Sequence, residues 1–188
     1  MHIAAATRAE LPDIHAAYEH AREIQSSQHS AVWPPFTDVA VTREIDNGEL
    51  YTVRDGDALI GVFSLIEADG LLWGADERGE HLYLHRIARS AISANGGFID
   101  AVIAWTFREC AKRGRIGVRM DTWASNHALI ALYERRGFRL VDARQMPADP
   151  RLSPHYHGTV LALLEAPCPS DGAEGNSPRR SGPSIPEP

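Results

Sequence analysis

The chain has 188 residues, 44% of them hydrophobic, which is enough for one good core and cramped for two full domains. Its formal net charge is −6, with acidic and basic residues mixed along the chain, which argues against a basic nucleic-acid-binding face. No run of about 18 apolar residues is present, and Met1 to Arg8 lacks a basic stretch followed by an apolar one, so neither a membrane span nor a secretory signal is expected and the chain reads as cytoplasmic.

In chain order, His2 to Ala6 is a short strand candidate. A helix is predicted from about Pro12 to Gln28, with Ile14, Ala17, Tyr18, Ala21 and Ile24 on one stripe, and Trp33-Pro34-Pro35 breaks it. Thr37 or Asp38 can cap a second short helix that ends near Asn47-Gly48. Two strands follow, Glu49 to Arg54 and Ala58 to Glu67, joined at Asp55-Gly56, a tight-turn signal.

Asp69 to Gly79 reads as a loop, His81 to Ala88 as a strand and Phe98 to Arg113 as a helix. Arg115 to Trp123 is a strand, Asn126 to Arg136 a helix stopped by Gly137, and Phe138 to Ala143 with Thr159 to Leu164 complete the sheet. A hairpin first and strand–helix–strand units later predict an α/β (α+β) domain with a mixed sheet and helices packed on it. Residues 1–166 form this domain. Residues 167–188 hold half of the twelve prolines and few apolar residues, which predicts a disordered tail. Cys110 falls in an apolar helical stretch and Cys168 in that tail, so no disulfide framework is expected.

Two stretches carry chemistry. Ser93-Ala94-Asn95-Gly96-Gly97-Phe98 joins a strand to an amphipathic helix. The first N–H groups of a helix lack internal partners and carry partial positive charge, and glycine lets a ligand approach the main chain, so the junction suits a diphosphate or is an ordinary cap. The second stretch runs from Asp121 to Phe138, with Asn126 at a helix start, Tyr133 one stripe on and Gly137-Phe138 at the exit.

This second stretch resembles the GCN5-related N-acetyltransferase (GNAT) family, whose members often read Asn-x-x-Ala/Leu-x-x-Leu-Tyr-x-x-x-Gly-Phe. Leu84-His85-Arg86-Ile87-Ala88 resembles the family's fourth strand, and the glycine junction its pyrophosphate loop. The resemblance covers roughly Ile3 to Glu165. It departs at the loop, where the family's Arg/Gln-x-x-Gly-x-Gly/Ala is met by Ala94, Gly97 and Ile99.

The resemblance implies a mostly antiparallel sheet with helices on both faces, splayed at the centre, and acetyl-coenzyme A as co-substrate. Its pantetheine arm would pair with the backbone of Ile87 and Arg89, and its diphosphate would sit on amides of Asn95, Gly96, Gly97, Phe98, Ile99 and Asp100. Asn126 would hold the arm, cap its helix, or do both. Tyr133 would protonate the departing thiolate, unless it is a core aromatic.

A free alkylamine titrates near about 10, so transfer needs a base. Asp121 and His85 are the candidates, with structural roles as the alternative; an unperturbed histidine at about 6.5 suits the task. Trp33, Phe36, Trp73, Trp123 and His155-Tyr156-His157 are candidates for an acceptor pocket or for core anchors. The histidines have no Cys or carboxylate partner at useful spacing, so no metal is expected.

The implied partners are acetyl-coenzyme A and a primary amine of a small molecule or peptide, with no nucleic acid and no membrane. Exposed apolar residues leave room for a homodimer without marking an interface. The rival readings are a non-catalytic acyl-coenzyme A sensor and a flavodoxin-like domain, and the Asp55-Gly56 hairpin counts against the latter.

Overall fold

The computed structural model describes residues 1–28, 31–92 and 96–169. Its seven strands form one sheet: β1 His2–Ala5, β2 Leu50–Asp55, β3 Ala58–Ile66, β4 His81–Arg89, β5 Gly117–Trp123, β6 Arg139–Gln145 and β7 Val160–Pro167. Their spatial order is β1-β2-β3-β4-β5-β7-β6, and every neighbouring pair is antiparallel except β4 and β5. The predicted hairpin turns at Gly56-Asp57, where Gly56 has φ 58°, a conformation that suits a tight turn between twisted strands.

Side chains alternate along the central strands, so these feed cores on both faces of the sheet. Leu50, Val62 and Ala88 meet Ile14, Ala17 and Tyr18 of helix α1 (Leu11–Ser27) and Val41 of α2 (Asp38–Asp46). Val53, Phe63, Leu82 and Leu84 meet Phe98, Val102, Ile103 and Cys110 of α4 (Phe98–Lys112) and Tyr133 of α5 (His127–Glu134). Helices therefore cover both faces, and each fully buried aliphatic side chain contributes about 1.5–3 kcal/mol. Thr37 caps α2, its hydroxyl accepting from the Ala40 N–H at 3.2 Å.

One stretch read as loop is partly helical. Asp69 accepts from the Leu72 N–H at 3.2 Å and starts a one-turn helix, α3 (Gly70–Trp73), followed by a 3₁₀ turn over Gly74–Asp76. Four residues are too few for a helical stripe to show in sequence. Trp73 from this turn joins Tyr83, Met146, Leu161 and Leu163 in a third cluster.

At the C-terminal end, Pro167 pairs with Gly117 and the Cys168 N–H donates to Ile116. Residues 170–188, most of the expected tail, lie outside the described residues. Both cysteines are free, yet the Cys168 thiol interacts with that of Cys110, a proximity that their sequence separation conceals.

The centre of the sheet is splayed. β4 and β5 pair only at His81↔Gly117, Leu82↔Val118 and Tyr83↔Arg119. Beyond that point β4 carries a bulge: Val62 faces Ala88 and Ser64 faces His85, leaving Phe63 opposite both Arg86 and Ile87. Arg86 has φ 49°, and such an extra residue bends its strand. The Ser90 N–H donates to Ile60 on β3, so by alternation the amides of Arg89 and Ile87 face the gap.

Candidate active site

The gap opens into a cavity of about 820 Å³. Its walls come from the end of α1, the segment Ala31 to Thr37, α2, the bulged half of β4, the end of β5, α5 and the loop Arg151 to Tyr156. Ile87 and Arg89 line it, as do Ile99, Asn126 and Tyr133.

The glycine junction opens α4. Gly97 adopts φ 98° and no side chain caps the helix. Among the described residues nothing accepts a hydrogen bond from the N–H groups of Phe98, Ile99 or Asp100, the donors at the positive end of the helix dipole. Phe98 anchors this end: a Cβ on Gly61 would stand 2.4 Å from its ring, so the glycine permits the close approach. Asp100 is engaged by Arg136 at 2.6 Å. Asn95 lies outside the described residues.

Asn126 does cap α5, its Oδ1 accepting from the Leu129 N–H at 3.1 Å. Its Nδ2 has no partner among the described residues, and the residue lines the cavity. Tyr133 is only 5% exposed, and its hydroxyl makes no hydrogen bond to another described residue. Burial, and next the Asp121 carboxylate, push its pKa well above the usual tyrosine value, so it keeps its proton at neutral pH.

His85 lies between two carboxylates. Its Nδ1 is 3.0 Å from Asp121 Oδ1, and its Nε2 is 3.3 Å from Asp69 Oδ2. Burial by itself lowers the histidine's pKa, but Asp121 and Asp69 outweigh it and raise the value to about 9. The ordinary value near 6.5 expected from sequence therefore does not hold: His85 is an imidazolium at neutral pH and has no free lone pair to take a proton. Asp121 keeps Oδ2 without a partner among the described residues.

Three participants escaped the sequence reading. Asp69 sits in the stretch read as loop. Glu44 is buried on α2, taking a hydrogen bond from Ser64 Oγ at 3.0 Å and an ion pair with Arg86 Nη2 at 2.5 Å. The Arg86 guanidinium lies 5.4 Å from the centre of the Phe36 ring. The available signal was an acid between Val41 and Ile45 on an amphipathic helix, and an arginine inside an apolar strand.

Of the aromatic candidates, Trp33, Phe36, Trp123, His155 and Tyr156 line the cavity. Trp73 does not; it is buried elsewhere beneath the Arg119 guanidinium, at 4.2 Å. His157 Nε2 contacts the carbonyls of Asp149 and Leu152 and so braces its own loop. Among the described residues no group of three or more His, Cys, Asp or Glu side chains is arranged to hold a metal ion, and no helix is long and apolar enough to cross a membrane.

Comparison with known proteins places this architecture. The uncharacterized N-acetyltransferase YesJ of Bacillus subtilis (strain 168) is 30% identical over 107 residues, a match spanning 55% of this chain and 59% of that protein. An acetyltransferase of the GNAT family from Listeria monocytogenes 4b F2365 superposes with a TM-score of 0.69 at 17% identity, covering 88% of this chain and 94% of the other. The protein yncA from Salmonella typhimurium, solved with its cofactor acetyl-CoA, gives 0.62 at 16% identity, covering 93% and 98%. At those identities the structures speak for the fold alone. The sequence profile of the Acetyltransferase (GNAT) family matches residues 18–138, and the chain belongs to that family.

Proposed function

We propose that this protein is an acetyl-coenzyme A-dependent N-acetyltransferase that acetylates a primary amine of a small molecule or peptide by direct attack. One observation carries the reading: the edge of β4 that is unpaired among the described residues, Ile99 at the start of α4 and the Tyr133 ring all meet one cavity. The residues suit the co-substrate. Amides of Ile87 and Arg89 offer strand-like pairing to an amide-bearing arm, and those of Phe98, Ile99 and Asp100 offer donors to a diphosphate. These contacts use main chain, so the absence of the family's usual loop side chains at Ala94 and Ile99 leaves them intact.

Acetyl-coenzyme A supplies the activated acetyl thioester. Asp121, through Oδ2, which has no partner among the described residues, takes the proton that the attacking amine must lose, and His85 holds the carboxylate in place. Tyr133 donates its proton to the thiolate as the carbon–sulfur bond breaks, and its environment keeps that proton available. Burial of the cavity walls strengthens both interactions.

The test is acetyl-coenzyme A binding by native mass spectrometry, followed by thiol release over a panel of amines. Binding with release supports the transferase. Binding without release on any amine supports the sensor reading, and no binding removes both.

A further inference from the structure

The acceptor half of the cavity has a one-sided set of unmet contacts. Its three carboxylates are committed: Glu44 to Arg86 and Ser64, Asp69 to His85 and the Leu72 N–H, and Asp121 by one oxygen to His85. The guanidinium of Arg86 is committed only through Nη2. Its Nε and Nη1 have no partner among the described residues, and the side chain is 26% exposed beside the Phe36 ring. Arg43, one residue before Glu44, also lines the cavity and has no side-chain partner among the described residues.

Backbone geometry aims Arg86 at the chemistry. Neighbouring residues on a regular strand point to opposite faces, so His85 and Arg86 would ordinarily be separated. The bulge and the left-handed φ of 49° at Arg86 break that alternation, and both side chains line the same cavity. A non-glycine residue held in this region costs about 1–3 kcal/mol and persists only where its surroundings enforce it. Asp121 and Arg86 line this cavity together with His155 and Tyr156, so the carboxylate and the guanidinium serve one space.

We propose that the acceptor is a small amino-acid-like molecule, a primary amine that also carries a carboxylate or similar oxyanion, with the anion on the guanidinium of Arg86 and the amine at Asp121. Nε and Nη1 lie on different edges of the guanidinium, and either can donate beside the second N–H of Nη2 to a planar oxyanion, while the Phe36 ring keeps water from one face. Glu44 orients the guanidinium through a single oxygen on Nη2. This inference rests on the transferase reading and narrows its substrate.

The test uses the full chain and matched acceptors: phenylalanine, phenylalaninamide and phenethylamine; methionine, methioninamide and 3-(methylthio)propylamine; and a short neutral peptide with a free N-terminus. Acetylated product is followed by mass spectrometry and acetyl-coenzyme A binding by native mass spectrometry. The carboxylated member of at least one set should exceed its amide and its decarboxylated amine about tenfold or more in kcat/KM, the scale of one charge-assisted contact. Because Arg86→Gln alone leaves Glu44 buried and unpaired, the informative variant is Arg86→Gln with Glu44→Gln. It should abolish the preference by raising KM for the carboxylated acceptor, while acetyl-coenzyme A affinity stays within about twofold.

Equal or better acetylation of the amide, the decarboxylated amine or the peptide overturns the inference and leaves the transferase standing. So does failure to acetylate any carboxylated member by a protein that binds acetyl-coenzyme A. Absence of acetyl-coenzyme A binding overturns the transferase reading and this inference with it.

Discussion

His85 Nδ1 stands 3.0 Å from Asp121 Oδ1 across the splay between β4 and β5. These strands pair only as far as Tyr83 and Arg119, so the contact bridges backbones that no longer hydrogen-bond to each other. The histidine is also the point where the loop after β3 is tied down, through Asp69. Its charge state therefore bears on stability as well as on the cavity's electrostatics.

The folded-state pKa of about 9 lies above the ordinary value near 6.5, so the stabilisation from His85 is fully present below about 6.5 and is lost as pH rises through 9. Wild type should exceed His85→Gln in unfolding free energy at pH 6, and that advantage should shrink toward pH 9.5 by an amount on the order of 1–3 kcal/mol. Urea denaturation of both proteins across this range measures it. A difference that does not change with pH would show that His85 is not charged in the native state.

Asp69→Asn separates charge from capping. Asparagine caps a helix as well as aspartate, so α3 should survive. The His85 titration midpoint, followed by NMR of the ring, should move at least about one pH unit toward its ordinary value, since one of two neighbouring charges is gone. An unmoved midpoint would assign the raised pKa to Asp121 alone.

Tyr133→Phe removes the proposed proton donor from a position that is otherwise packed against Phe138. Hydrophobic packing is retained, so the melting temperature should change little. kcat should fall about 100-fold or more with acetyl-coenzyme A affinity within about twofold, read from steady-state kinetics and direct binding. Unchanged kcat in the folded variant would return Tyr133 to the role of a core aromatic.

Gly61→Ala probes how the start of α4 is seated. The added Cβ would meet the Phe98 ring at 2.4 Å and the Ala88 carbonyl at 2.7 Å, and the carbonyl belongs to a strand that cannot retreat freely. The substitution should destabilise the protein by about 1–3 kcal/mol and weaken acetyl-coenzyme A binding, because Phe98 carries the amides of the helix start with it. Thermal unfolding and native mass spectrometry read the two effects, and a variant as stable as wild type would mean that Phe98 has room to move.

Local rules made much of this fold readable in advance. The Asp55-Gly56 turn, the Thr37 cap and the stripe of Ile14, Ala17 and Tyr18 are decided by residues a few positions apart, and each stands where its pattern puts it. The four residues of α3 carried no such pattern. The value of His85 near 6.5 failed for a different reason: its two carboxylates come from positions 16 residues before it and 36 after it, and chain-local reasoning has no access to either.

The sequence by itself therefore determined the order and kind of most elements, the mixed sheet and the resemblance carried by Asn126, Tyr133, Gly137 and Phe138, since these follow from periodicity, turn chemistry and short motifs. Only the tertiary structure decided that Asp69, His85 and Asp121 form one charged ladder, that Trp73 leaves the cavity, and that a bulge turns Arg86 into it beside Glu44. Burial and electrostatics depend on which atoms surround a group, and those neighbours are assembled by packing across the sheet, not by proximity along the chain.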